Sequence, residues 1–117
     1  MDHEQLLSDL YDAFNHRDIE RAIAAMRPDV DWPNAWEGGR VVGRDAVRDY
    51  WTRQFAEIDP IVEPVGFSTD AGGRVAVEVQ QLVRTFVVEV LADQVVTHVY
   101  AFREGLVERM DVIEPEG

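Results

Sequence analysis

The spacing of apolar residues changes at Asp59-Pro60, and this change limits the folds that are open to the chain. Before Pro60, apolar residues recur every three or four positions, which is the period of an amphipathic helix. After Pro60, apolar and polar residues alternate, as they do in strands with one buried face. Helices followed by antiparallel strands predict an α+β domain in which the helices cover one face of a curved sheet.

Three helices are predicted before the change. The first covers about residues 3–15, where the apolar residues fall on one stripe. The second begins after a capping Asp18, buries a side that includes Met26, and is closed by Pro28. The third begins at Asp45 and ends before the change in spacing.

Between the second and third helices, the sequence predicts a short strand at residues 30–32 and then a loop. Pro33 and the Gly38-Gly39 pair keep this loop irregular. The same segment nevertheless holds Trp32 and Trp36, two of the three tryptophans in the chain. A tryptophan beside a loop is favourable when its ring is half-buried against other apolar groups.

Four β-rich segments follow the third helix. They cover about residues 61–69, 74–86, 87–103 and 106–113. Turn signals lie at residues 70–73, at Glu104-Gly105 and at Ala92-Asp93, the last of which favours a break within the 87–103 segment. Because no repeat or linker divides the chain, residues 1–117 are interpreted as a single domain.

Composition excludes several classes of function. The chain has 23 acidic and 11 basic residues and a formal net charge of −12, which repels nucleic acids and anionic membrane surfaces. No apolar run approaches the roughly 18 residues of a membrane helix, and the first residues do not resemble a signal peptide. We therefore expect a cytoplasmic protein that binds neither nucleic acid nor membrane.

Metal and cofactor sites are not expected either. Cysteine is absent, and His3, His16 and His98 show no spacing that is typical of zinc ligands. The glycine pairs fit neither of the common phosphate-binding patterns.

His98 is the sharpest candidate for chemistry. Strand alternation places it on one face with Tyr100. If Glu104-Gly105 is a two-residue hairpin loop, His98 lies opposite Asp111 and Tyr100 lies opposite Arg109. A carboxylate that faces an imidazole holds its tautomer and raises its basicity, as a general base near neutral pH requires.

Two alternatives to this pair stay open. A three-residue loop with a bulge would put Met110 opposite His98 and would remove the pair. His98 is also compatible with a buried, hydrogen-bonded core histidine, and Asp111 with a surface or interface carboxylate.

Four motifs in order resemble a known family: LYDAFNHRDIERAIAAM, RPDVDW, VVGRDAVRDYW and HVYAFREGLVERMDV. Together they resemble the SnoaL-like branch of the nuclear transport factor 2-like superfamily, which also contains the ketosteroid isomerases. The resemblance implies a cone-shaped barrel in which three N-terminal helices pack on a strongly curved, mostly antiparallel sheet. It also implies a deep apolar pocket and a homodimer formed through the outer face of the sheet.

The resemblance implies roles for several residues. In polyketide-cyclase-like relatives, a histidine and an aspartate on the last two strands are catalytic, and His98 and Asp111 are similarly spaced. Asn34 falls where ketosteroid isomerases carry a proton-shuttling aspartate. Because an asparagine side chain cannot accept and return a proton as a carboxylate does, ketosteroid isomerase chemistry is disfavoured.

The same resemblance places further residues around the pocket. The segment from the first strand to the third helix runs along the mouth of the cone, so Trp36 is predicted as a pocket lid. The residues expected to bind substrate are Trp32, Asn34, Trp36, Trp51, Phe55, Tyr100 and Arg109.

The sequence leaves two functions open. In one, His98 and Asp111 transfer a proton on an apolar, carbonyl-bearing substrate, as an isomerase, cyclase or hydrolase does. In the other, the same pocket belongs to a non-catalytic ligand-binding or dimerisation module. Both functions predict a small apolar or polycyclic ligand.

Overall fold

The structure is a computed structural model that describes residues 3–87 and 89–114; residues 1, 2, 88 and 115–117 lie outside the described part. The described residues form three helices: α1 (His3–Asn15), α2 (Ile19–Ile23) and α3 (Arg44–Glu57). They also form six strands: β1 (Met26–Pro33), β2 (Arg40–Val42), β3 (Asp59–Thr69), β4 (Val75–Arg84), β5 (Val90–Arg103) and β6 (Leu106–Ile113). The predicted α+β class is confirmed.

The six strands form one mixed sheet in the order β2-β1-β6-β5-β4-β3. Strands β1 and β6 pair in parallel, and the other neighbouring strands pair antiparallel. The parallel pair places β1 beside the last hairpin, although the two are far apart in sequence. The sheet is therefore mostly antiparallel, as predicted.

The second helix is shorter than predicted. Its capping residue is confirmed, because the Asp18 side chain accepts a hydrogen bond from the Arg21 backbone N–H at 3.2 Å. Met26, however, begins β1, and Pro28 lies inside that strand. The backbone N–H of Val107 in β6 donates to Ala25 O at 2.9 Å. Pairing with β6 thus ends the helix before Met26, the last residue of the apolar pattern from which the helix was predicted.

The predicted break at Ala92-Asp93 is wrong, whereas the chain turns between β4 and β5 where the predicted segments 74–86 and 87–103 meet. Ala92 and Asp93 are inside β5, where they pair with Val83 and Leu82. The chain instead reverses after β4, where the Thr85 backbone N–H donates to Glu89 O at 2.8 Å. The Thr85 hydroxyl also accepts from the Glu89 N–H at 3.1 Å, so a threonine side chain closes this turn. The predicted 87–103 segment includes Val88, which lies outside the described residues.

Strand β2 was not predicted. It follows the loop and pairs with β1 over only three positions, from Asp31 opposite Val42 to Pro33 opposite Arg40. A pairing this short depends on its partner strand rather than on a periodic pattern of its own. The predicted third helix is confirmed within one residue of its start, after Gly43, which has a φ of 96°.

One buried cluster joins the helices and the sheet. Its members include Leu7 and Tyr11 of α1, Val47 and Trp51 of α3, and Tyr100 of β5. On β4, β5 and β6 the buried residues alternate with more exposed ones. We call the face of this sheet that carries His98 and Tyr100 the inner face, and the opposite one the outer face.

Candidate active site

A cavity of about 290 Å³ lies among α1, α3, the loop after β1 and the inner face of the sheet. Its aromatic lining residues are Tyr11, Phe14, Trp32, Trp36, Tyr50, Trp51 and Tyr100. Its polar side chains include those of Gln54, Gln81, Gln94, His98 and Glu114. A concave, mostly apolar site with a few polar groups is the usual form of a small-molecule site.

The register of the β5–β6 hairpin decides which residues face this cavity. The two-residue loop is confirmed, with Arg103 opposite Leu106. Glu104 and Gly105 have φ values of 55° and 82°, as the tightest hairpin turns require. The register then shifts, because Phe102 lies opposite Val107 whereas Ala101 lies opposite Arg109. Glu108 is therefore the extra residue of a β-bulge.

The bulge overturns the predicted pair. His98 lies opposite Val112 and Tyr100 lies opposite Met110, so the prediction that they face Asp111 and Arg109 is wrong. The alternative that set Met110 opposite His98 is also wrong. One inserted residue moves every later side chain of β6 to the other face. Asp111 and His98 consequently lie on opposite faces of the sheet.

Asp111 and Arg109 belong to a cluster on the outer face, the outer ion-pair cluster, which also contains Asp31 and Arg40. Arg109 contacts Asp111 at 2.9 Å and Asp31 at 2.8 Å. Arg40 contacts Asp111 at 3.2 Å. The hydrogen bond from Arg109 is the main cause that lowers the pKa of Asp111. Neither predicted site residue of this cluster lines the cavity.

His98 lies in a hydrogen-bonded chain on the inner face. Its Nδ1 is 2.7 Å from the Tyr11 hydroxyl oxygen. The Tyr100 hydroxyl donates to the Tyr11 hydroxyl at 2.7 Å. We call these three residues the Tyr–His chain. All three are buried and line the cavity, with His98 8% exposed.

Burial keeps the Tyr–His chain uncharged. It lowers the pKa of His98 to about 4, and it raises the pKa values of Tyr11 and Tyr100 well above their usual range. The sequence predicted the opposite shift for His98, because it assumed a facing carboxylate. Desolvation disfavours an imidazolium, and no described carboxylate offsets it here. At neutral pH, His98 is a neutral imidazole.

Two arrangements of protons fit the Tyr–His chain. If the Tyr11 hydroxyl donates to Nδ1, then Nε2 of His98 carries the ring proton and is a donor. If Nδ1 donates to Tyr11, then Nε2 is an acceptor and the Tyr11 hydroxyl proton is free for another oxygen. The two arrangements give Nε2 opposite roles, as a weak acid or a weak base.

Residues 7–110 match the family model of the SnoaL-like domain. The chain belongs to the SnoaL-like domain family. This confirms the resemblance that the sequence motifs predicted. No curated protein matches the sequence at a significant level.

Solved structures resemble this SnoaL-like domain over almost its whole length. TerC, co-crystallised with polyporic acid, has a TM-score of 0.84 and 22% identity over 97% of this chain and 91% of TerC. A nuclear transport factor 2-like protein of unknown function from Burkholderia pseudomallei has a TM-score of 0.84 and 24% identity, over 98% and 92% of the two chains. The epoxide hydrolase/cyclase-like enzyme SalBIII, which acts in pyran ring formation in salinomycin, has a TM-score of 0.77 and 16% identity over 97% of this chain and 90% of SalBIII. At these identities, the matches establish the fold.

The three tryptophans of the SnoaL-like domain lie around the cavity. Trp32, Trp36 and Trp51 all line it. The rings of Trp32 and Trp51 meet edge to face, with centroids 5.6 Å apart. Phe55 is not among the lining residues; it packs against Phe14, at 5.1 Å between ring centroids, and lies under the Arg17 guanidinium.

Asn34 is buried but does not line the cavity. Its side-chain oxygen accepts a hydrogen bond from the Glu37 N–H at 2.7 Å, and its amide donates to the Glu37 carboxylate at 2.9 Å. Gly38 and Gly39 complete the loop with φ values of 95° and 79°. Asn34 therefore holds the loop that carries Trp36, which makes Trp36 part of the cavity wall.

Sequence reasoning missed two residues of the site. Tyr11 lies on the apolar stripe of α1 and was not among the predicted site residues. A buried tyrosine hydroxyl needs a hydrogen-bond partner, and pairing it with the buried His98 could have found it. Nothing in the sequence indicated that Gln54 lines the cavity, because a glutamine among charged helical residues usually faces solvent.

Two further findings concern only the described part of this SnoaL-like domain. None of its helices is both long and apolar enough to cross a membrane. No group of three or more histidine, aspartate or glutamate side chains in these residues is arranged to hold a metal ion.

Proposed function

We propose that this SnoaL-like domain binds a small, uncharged, largely aromatic molecule in its cavity and that His98 transfers a proton on it. The observation that carries the proposal is the position of His98: its ring lines an aromatic cavity while its Nδ1 is held by Tyr11. A buried polar chain that ends at a cavity is the kind of group that enzymes use for proton transfer.

The charge and size of the cavity support the choice of ligand. Among the described lining residues, Glu114 is the one acidic residue, and no arginine is present. An anionic ligand would therefore lack a partner and would meet a chain of net charge −12. A volume of about 290 Å³ is at the lower end of the roughly 300–1,000 Å³ of small-molecule sites. A molecule of one or two rings suits this volume.

The proposed step uses the arrangement in which Nδ1 donates to Tyr11. Nε2 of His98 takes a proton from a carbon next to a substrate carbonyl, and the C–H electrons form an enolate. The free Tyr11 hydroxyl donates to the enolate oxygen. If His98 returns the proton to another carbon of the enolate, the substrate is isomerised. If the enolate carbon first attacks a second carbonyl carbon of the substrate, the C=O electrons move to its oxygen, His98 returns the proton to that oxygen, and a ring closes with no net change in protons.

The low pKa of His98 does not prevent this step. In the empty site, burial penalises the imidazolium and lowers the pKa to about 4. An enolate held beside the ring supplies a negative charge that stabilises the imidazolium and raises this pKa. The base therefore becomes stronger as the transition state develops, which favours the transition state over the ground state.

Hydrogen–deuterium exchange tests the proposal without knowledge of the natural substrate. Wild-type protein is incubated with 2-tetralone in D2O near neutral pH, and loss of the α-proton signals is followed by NMR. We expect exchange to be faster than in buffer, and we expect His98→Gln to abolish the acceleration. Equal exchange with wild type and His98→Gln would contradict proton transfer by His98.

Asp111→Asn is the matched control for this experiment. Asp111 was predicted as the partner of His98 but lies in the outer ion-pair cluster. Exchange in this variant is expected to equal that of wild type. A loss of exchange as large as that in His98→Gln would mean that Asp111 acts together with His98, which contradicts its position in the outer ion-pair cluster.

The absence of a described carboxylate beside His98 favours one alternative, a cavity that binds without catalysis. In that case, 2-tetralone binds and raises the melting temperature, but its α-protons exchange no faster than in buffer. Binding and exchange are measured on the same samples, so this outcome separates the two functions.

The homodimer expected from the sequence is part of the same proposal. The outer face carries the exposed side chains of Val95 and Ile113, 45% and 57% exposed, which are candidates for burial between two copies. Light scattering after size exclusion tests this. A dimer in wild type that dissociates in Val95→Glu supports the outer face, and a monomeric wild type contradicts it.

A further inference from the structure

Gln54 has a buried polar atom that the fold leaves unpaired. Its side-chain oxygen, Oε1, is inaccessible to solvent, and no described residue offers it a hydrogen bond. Gln54 lies in the last turns of α3 and lines the cavity. Buried polar atoms are paired in the great majority of cases, so each exception requires a physical reason.

The residues around Gln54 do not donate to its side-chain oxygen. Its neighbours along α3 that line the cavity, Tyr50 and Trp51, carry an O–H and an N–H donor, but neither is hydrogen-bonded to Oε1. The adjacent Arg53 donates instead to the Glu37 carboxylate, at 2.8 and 3.1 Å. The backbone oxygen of Gln54 is used by the Ile58 N–H at 2.9 Å, whereas the side-chain oxygen has no such partner. Oε1 therefore keeps an acceptor position that a molecule bound in the cavity could use.

We propose that the Gln54 side chain turns Oε1 towards the cavity when a ligand binds, accepts a hydrogen bond from an O–H or N–H group of that ligand, and so selects ligands that carry a donor. The inference rests on the proposed function, because it requires that the cavity bind a small molecule. It narrows the ligand class to neutral aromatic molecules with a hydroxyl or amino group, such as phenols and enols. A ligand without a donor leaves Oε1 buried and unpaired, and it binds more weakly.

Rotation of the amide by 180° predicts a different ligand. The buried atom is then the amide nitrogen, which needs an acceptor rather than a donor. Three probes of similar shape separate these cases: 2-naphthol carries a donor, 2-methoxynaphthalene carries only an acceptor, and naphthalene carries neither. All three are uncharged at pH 7.

Isothermal titration calorimetry with the three probes tests the inference. We expect wild type to bind 2-naphthol about tenfold more tightly than 2-methoxynaphthalene, the size of effect that one hydrogen bond produces. In Gln54→Met, which keeps the side-chain volume, this ratio is expected to fall to about one. Equal binding of the two probes by wild type, or a ratio that persists in Gln54→Met, would overturn the inference.

The stability of the unliganded protein is the second measurement. Gln54→Met removes an unpaired buried oxygen, so its melting temperature is expected to equal or exceed that of wild type. Gln5→Met, at an exposed position of α1, is the control for exchanging a helical glutamine for methionine. A clearly lower melting temperature for Gln54→Met alone would indicate a structural role and would also overturn the inference.

The outcomes distinguish this inference from the function on which it rests. If none of the three probes binds, the proposed binding function fails and the role of Gln54 fails with it. If all three bind with equal affinity, the cavity binds aromatic molecules and only the selection by Gln54 fails.

Discussion

The two faces of the β5–β6 hairpin carry polar groups of opposite character. The inner face contributes His98 and Tyr100 to the Tyr–His chain, which is buried and uncharged. The outer face contributes Arg109 and Asp111 to the outer ion-pair cluster, whose side chains are 46% and 43% exposed in their ion pair. Polar residues of one hairpin therefore serve two purposes, and which purpose a residue serves depends on the register.

The physical contrast between the faces is solvation. Water stabilises each charge of the outer ion-pair cluster whether or not it is paired, so its ion pairs add little to stability. On the inner face water is excluded, so a charge is penalised and a missing hydrogen bond is costly. Substitutions on the inner face should consequently have large effects, and those on the outer face small ones.

The largest expected effect comes from Tyr100, which is 0% exposed. Tyr100→Ala leaves a cavity in the core and removes the hydroxyl that donates to Tyr11. We expect a loss of about 3–5 kcal/mol in the free energy of unfolding, measured by urea denaturation. Arg109→Ala on the outer face is the comparison, with an expected loss of less than about 1 kcal/mol. Similar losses in the two variants would remove the contrast between the faces.

The pH dependence of stability is the next largest effect. The pKa of His98 falls from 6.5 to about 4 on folding, so the unfolded chain binds the proton more tightly. The contribution of neutral His98 to the free energy of unfolding is therefore complete above pH 6.5 and is lost as the pH falls towards 4. The total loss is about 3 kcal/mol. Urea denaturation between pH 7.5 and 4.5 measures most of it.

His98→Gln provides the control for this window. Most of the decline between pH 6.5 and 4.5 should disappear in this variant. Asp111, whose pKa is also lowered, begins to lose its contribution only as the pH approaches its ordinary value of 3.8. A decline that is unchanged in His98→Gln would show that His98 is not the group responsible.

A smaller effect is expected from Tyr11→Phe. This substitution keeps the ring but leaves both Nδ1 of His98 and the hydroxyl of Tyr100 without their common partner. The expected loss is about 1–3 kcal/mol, measured by thermal unfolding. The double variant Tyr11→Phe, Tyr100→Phe should lose less than the sum of the two single variants, because the hydroxyls depend on each other. Strict additivity would argue against a connected chain.

The smallest effect is expected from Asp111→Asn on the outer face. Its ion pairs with Arg40 and Arg109 are partly exposed, so the loss should be below about 1 kcal/mol and should shrink in high salt. Urea denaturation at low and high salt measures both. A large, salt-independent loss would mean that Asp111 has a structural role that solvation does not explain.

Several features of the fold followed from the sequence because they depend on near neighbours in the chain. Helices α1 and α3 were predicted within one residue of their starts, since their apolar residues repeat at the helical period. The cap at Asp18 and the loop at Glu104-Gly105 depend on only a few adjacent residues. The placement of Trp32, Trp36 and Trp51 around one cavity came from the resemblance to a family rather than from periodicity.

Other features depend on partners that are distant in sequence. Pairing with β6 makes Met26 part of a strand, although the local pattern continues a helix. Strand β2 exists only because β1 lies beside it. The Tyr–His chain joins α1 to β5, so neither segment alone reveals that Tyr11 is the partner of His98.

The sequence by itself determined that His98 and Tyr100 share a face, because alternation along a strand is a property of the strand alone. Only the tertiary structure decided what lies opposite them. The bulge at Glu108 turns Asp111 outwards, where Arg40 and Arg109 pair with it, and keeps Met110 and Val112 towards the core. The choice between a regular hairpin and a bulged one is made by burial of apolar side chains and solvation of charges across the whole sheet. That balance cannot be read from the loop residues.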